Sequence, residues 1–129
     1  MIQAWFNERG FYMQGERGEG RFVYDLPPDV VSNASMTYMC RWMVLNRLLN
    51  DIDTLGETTQ DKDLVLHTDS RLIEELKGGL APTNEFAQSS LQYFRNHDYR
   101  KFRRVTFMKS AATTINHRLS LSVHPTRPQ

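Results

Sequence analysis

The sequence predicts an α/β fold: a mixed five-stranded sheet, three antiparallel strands then parallel βα units, with helices on both faces. Three observations predict it. The first 26 residues hold three short apolar runs separated by glycine-rich turns, as in an antiparallel meander. From residue 34 onward, helical patterns alternate with two further strand patterns, as in βα units. The run Leu64-Val65-Leu66 is unbroken rather than alternating, which marks a central strand covered on both faces.

Each element follows from its own residues. "MIQAWF" is the first strand, with apolar residues at 2, 4, 5 and 6. Strands over 11–14 and 21–26 flank "GERGEG", a hairpin turn. Read as a phosphate loop, that turn lacks both the Lys-Ser/Thr ending and the following helix. "LPPDVVSN" is a loop in which Ser32 or Asn33 caps a helix over 34–50. Met36, Met39, Cys40 and Met43 share one face of that helix, with Tyr38, Trp42, Leu45 and Leu49 beside them. So wide a stripe predicts burial on more than one side, with the methionines and Cys40 as core residues. "DIDTLGETTQDKD" is a polar linker without the glycine and glutamate spacing of a calcium loop. "LVLHTDS" is the fourth strand. A helix over 70–77 follows and ends at Gly78-Gly79. A helix over 84–97, a strand "RRVTFMK" and a final helix "SAATTINHRLSLSV" complete one domain over residues 1–123, leaving 124–129 as a flexible tail.

The near-neutral net charge of +1 conceals an asymmetry. Residues 51–77 carry eight acids and three bases, whereas residues 95–129 carry eight bases and one acid. A basic C-terminal third suits a polyanionic partner. Arg100, Lys101, Arg103 and Arg104, interleaved with Tyr99 and Phe102, have the composition for phosphate contacts and base stacking. One cysteine excludes an intrachain disulfide. No apolar run approaches the roughly 18 residues of a membrane span, and the first residues lack a signal-peptide pattern, so a cytoplasmic protein is expected.

The chemistry centres on Asp69, a carboxylate at a strand tip above a helix start. "HTDSRLIEELKG" resembles the central "TDSxxxxxxxxG" stretch of the ribonuclease H family, of the short type. "SNASMTYMCRWMVL" resembles its "TNNxAExxAL" helix start, "APTNEFAQSSLQYFRNHDYRKFRRVTFMK" the segment after the central motif, and "INHRLS" the "EADRLA" of its last helix. The resemblance covers roughly residues 1–121. It implies hydrolysis of the RNA strand of an RNA/DNA hybrid by two divalent metals held among four carboxylates.

Placed on those four positions, this chain keeps one acid. Asn7, in "WFNERG", matches the first aspartate, and Glu8 beside it is expected to point to the other face of its strand. Thr37 matches the helix glutamate, Asp69 is retained, and His117 matches the last acid. The resemblance thus implies weak magnesium or manganese binding at Asp69 at most, and a catalytically degenerate protein that binds an RNA/DNA hybrid or RNA duplex without cleaving it. It also implies that Ser32, Asn33 and Ser70 contact the nucleic acid. A second reading keeps the fold as a scaffold or inhibitor subunit for a protein partner, with Trp5, Trp42 or the helix over 84–97 as anchors. A third is an active nuclease with atypical ligands, in which His67 and His117 join Asp69 around a metal.

Overall fold

The computed structural model describes residues 1–54 and 60–123, with side chains described through residue 120. The 55–59 part of the expected linker and the expected tail over 124–129 lie outside the described residues. Five strands form one sheet in the order β3-β2-β1-β4-β5. β1 (Ile2–Asn7), β2 (Gly10–Gly15) and β3 (Gly18–Val23) make the antiparallel meander. β4 (Asp63–Thr68) runs parallel to β1, and β5 (Arg104–Lys109) runs parallel to β4. The turn from β1 into β2 depends on Gly10. Its φ is +148°, and a Cβ there would lie 1.9 Å from the Phe22 carbonyl oxygen, so only glycine fits.

Two cores lie on opposite faces of the sheet. Alternate residues of β1 divide between them, as the two-residue strand period requires. Ile2, Ala4 and Phe6 join Leu64 and Leu66 of β4 against α2 (Ala34–Thr54), α3 (Ser70–Lys77) and α4 (Glu85–Tyr93). Trp5 and Tyr12 form the smaller core with Ile115 and Leu119 of α5 (Ala112–Val123). A single helical turn, α1 (Pro28–Val31), forms within the expected loop before α2, because Pro28 supplies the fixed φ that suits a first helical position. The helix expected over 84–97 is α4 followed by a π-helical turn over Phe94–Asp98 and a short 3-10 turn over Tyr99–Lys101.

The stripe on α2 needs correction. Met36, Met39 and Met43 are exposed and Cys40 is half-buried. The core face is instead Tyr38, Trp42, Leu45, Leu48, Leu49 and Ile52. Helical periodicity identifies residues that share a face, and the larger side chains took the covered one. Trp5 and Trp42, considered above as surface anchors, are both buried.

His67 sits beneath α5. Its ring stacks on Trp5 at 4.5 Å between centroids, its Nε2 lies 3.1 Å from Gln3 Oε1, and the Arg118 guanidinium lies 4.2 Å from the Trp5 ring centroid. Burial, and secondarily the Arg118 charge, hold the imidazole below its ordinary pKa. The unfolded chain takes up this proton near pH 6.5, whereas the folded protein does so only at lower pH. Stability is therefore expected to fall as pH drops below about 6.5. Chemical denaturation across that range should show the loss in the wild type, and a shallower dependence in His67→Gln.

Candidate functional site

β1 and β4 lie side by side and point the same way, so their C-terminal ends open onto one edge of the sheet. Asn7 ends β1. Its side chain is buried, and both ends of the amide are engaged. Nδ2 donates to Asn116 Oδ1 of α5 at 2.8 Å, and Oδ1 accepts from the Arg9 backbone N–H at 2.8 Å. Asp69 follows β4 and caps α3. Its Oδ1 accepts from the Leu72 backbone N–H at 2.9 Å, which satisfies one of the free donors of the first turn. Thr37 is buried on α2, its hydroxyl donating to the Ala34 carbonyl at 3.0 Å.

Arg41 stands one turn beyond Thr37 on α2. Its Nε lies 3.0 Å from Glu8 Oε1 and 3.6 Å from Asp69 Oδ2. One guanidinium thus links the carboxylate after β1 to the carboxylate after β4. Asn7 turns toward Asn116 of α5 and Glu8 toward Arg41 of α2, helices on opposite faces of the sheet, so Glu8 points to the other face as expected. Asp69, read from the sequence without a charged partner, has one.

A polar groove of about 420 Å³ opens beside this ion pair. Ser35, Thr37, Arg41, Arg71, Thr83 and Asn84 line it, together with Ala34 and Tyr38. Arg71 is fixed by its 3.1 Å contact to Glu75 Oε2. Glu75 is fully buried and accepts the Tyr38 hydroxyl at 2.7 Å through its other oxygen. The buried carboxylate is thereby paired, as burial demands, and it anchors a cation at the groove wall.

Ser32, Asn33 and Ser70 are exposed, Asn33 directly before the groove residue Ala34 and Ser70 between Asp69 and the groove residue Arg71. Asn33, rather than Ser32, caps α2 by accepting the Met36 N–H at 3.0 Å. His117 is exposed on α5, and the neighbouring Asn116 makes the contact to Asn7. The basic run lies elsewhere. Arg104 pairs in register with Asp63 and Lys109 with Thr68, so Arg104 stands at the other end of the strand, about 17 Å from Lys109 at the usual rise. Two of its members are taken up by acids: Lys101 by Asp53 at 2.9 Å and Arg103 by Asp63 at 2.9 Å. Among the described residues, no three histidine, cysteine, aspartate or glutamate side chains come together as a metal site.

Glu8, Arg41 and Asn116 were not read from the sequence as site residues. Arg41 had a signal: it is the one charged residue between Ala34 and Asn46, and it falls four residues after Thr37, on the same helix face.

Asp69 carries two separable roles here, helix cap and charge. Asp69→Asn keeps a capping oxygen and should leave stability nearly unchanged. Asp69→Ala should cost about 1 kcal/mol. Urea denaturation of the two variants measures the difference.

No protein-family model and no curated protein matches the chain. Solved structures do. The ribonuclease H1 of the halophilic archaeon Halobacterium salinarum NRC-1 aligns at 15% identity and a TM-score of 0.63, over 89% of each chain. LC11 ribonuclease H1, solved in complex with an RNA/DNA hybrid, aligns at 11% identity and a TM-score of 0.64, over 91% of this chain and 90% of that one. The N-terminal ribonuclease H domain of Rv2228c from Mycobacterium tuberculosis, solved as a fusion with maltose-binding protein, aligns at 13% identity and a TM-score of 0.56, over 95% and 93%. The strand order, the mixed sheet and these likenesses agree: the chain has the ribonuclease H-like fold.

Proposed function

We propose that this protein binds nucleic acid, an RNA/DNA hybrid or an RNA duplex, and does not cleave it by two-metal chemistry. One observation carries the reading: the Arg41 guanidinium lies between Glu8 and Asp69. Two divalent cations held together need several carboxylates to offset their charge. Here the two carboxylates at the strand ends already share a cation. Asn7 and Thr37 bring no charge, and their polar groups are committed to Asn116, Arg9 and Ala34.

The groove supports the binding half of the proposal. Arg41 and Arg71 stand on its walls with hydroxyl and amide groups between them, a set that suits phosphate oxygens. Ser32, Asn33 and Ser70 are exposed, and the two remaining acids at the strand ends are partly neutralised, which lessens repulsion of a phosphate backbone. Any metal bound at Asp69 would compete with Arg41, so magnesium or manganese affinity should be weak.

A labelled RNA/DNA hybrid tests both halves. The wild type should retard it on a native gel, with retardation weakening steeply as salt rises, and leave it intact on a denaturing gel with magnesium or manganese. Arg41→Ala should lower affinity about tenfold, as expected for one charge-assisted phosphate contact. Metal-dependent cleavage by the wild type that is lost in Asp69→Asn would sink the proposal.

Restoring the missing charges is the complementary experiment. The triple variant Asn7→Asp, Thr37→Glu and Arg41→Leu supplies four carboxylates and removes the competing cation. Titration calorimetry should detect magnesium binding by this variant and much weaker binding by the wild type.

A further inference from the structure

Among the described residues β5 is an outer strand of the sheet, with β4 as its one neighbour. Such an edge presents backbone N–H and C=O groups without a strand partner. Beside this edge lies a groove of about 490 Å³, lined by Leu76, Lys77, Arg95, Tyr99, Val105 and Phe107. Its apolar surface comes from Leu76 of α3, from Val105 and Phe107 of β5, and from the Tyr99 ring. The charged groups lining it, Lys77 and Arg95, are both cations. Neither takes part in an ion pair among the described residues.

Gly78 helps to set this arrangement. A Cβ there would come within 2.9 Å of Arg95 Nη2, so the glycine that ends α3 also leaves room for the guanidinium. The positive charge continues along the strand. Arg104 and Lys109 stand at its two ends, exposed and, among the described residues, outside the ion pairs. Asp63, the acid paired in register with Arg104, is engaged by Arg103. On the other face of β5, Thr106 and Met108 are exposed.

We infer that the free edge of β5 takes an extended, acidic segment of a protein partner as a sixth strand. Three features of the edge select the occupant. Unpaired backbone groups recognise an extended backbone. The apolar floor recognises apolar side chains at every second position. The cationic rim recognises carboxylates at or beside them. A nucleic-acid strand would satisfy only the cations, leaving the strand edge unpaired. This surface is separate from the Arg41 site, and its occupant does not depend on what that site binds.

The probe is a short acetylated peptide alternating Asp with Val and Phe, carrying a fluorophore and read by polarisation. Two controls accompany it: the same peptide with Lys for each Asp, and the Asp peptide N-methylated on alternate backbone nitrogens. The Asp peptide should bind, the Lys peptide should not, and N-methylation should weaken binding about tenfold or more by removing strand hydrogen bonds. The double variant Lys77→Glu and Arg95→Glu should lose about as much, with its thermal melt and its binding of the RNA/DNA hybrid unchanged. Hydrogen exchange should slow at β5 when the Asp peptide is present. Equal binding of the N-methylated peptide, protection confined to other strands, or no binding of the Asp peptide would each overturn the inference. An oligonucleotide that protects the same β5 amides and displaces the peptide would assign the edge to nucleic acid instead.

Discussion

The parallel pairing of β1 with β4, from Ile2 opposite Leu64 to Trp5 opposite His67, is the constraint on which the rest of the molecule depends. Both strands are central and covered on two faces. Their even-numbered residues feed the core under α2, α3 and α4, and Trp5 feeds the core under α5. Because the strands run the same way, the reversal from β1 into β2 and the exit from β4 into α3 occur side by side. Thr68 ties the two ends together, its buried hydroxyl donating to the Phe6 carbonyl at 3.0 Å. Asn7, Glu8 and Asp69 of the candidate site stand at or just beyond this shared end.

What that end can do follows from charge. Glu8 and Asp69 are close enough to meet one guanidinium, and α2 provides it from Arg41. An arginine differs from a metal in this position. It cannot be exchanged or lost, and it activates no water. With Arg41 the two carboxylates share one fixed cation.

The basic C-terminal third is divided by the fold rather than gathered by it. Lys101 and Arg103 are matched to Asp53 and Asp63, acids from the acidic segment over 51–77. Arg95 lines the groove beside β5, Arg104 and Lys109 lie on β5, and Arg118 lies on α5 over Trp5. Proximity in sequence made these residues look like one patch. In the structure some are ion-pair partners and others line an exposed strand edge, so the same composition serves two physical purposes.

The order of elements, the α/β class, the strand tip at Asp69 and the helix that follows it were legible from the chain alone. Each depends on local signals: strand and helix periods, a Ser32 or Asn33 cap before α2, and the glycine that ends α3. The tertiary structure decided what local signals do not contain. The pattern on α2 separated its faces without saying which would be covered, so the methionines were assigned inward although they face out. Glu8 points away from Asn7 as alternation requires, and what it meets there, Arg41 of α2, was not written in the neighbouring residues. Arg41 became a site residue only when chain reversal brought Glu8, 33 positions away, to within 3.0 Å of it. Periodicity and capping are written in neighbouring residues, whereas a shared charge between distant segments exists only once the sheet has brought them together.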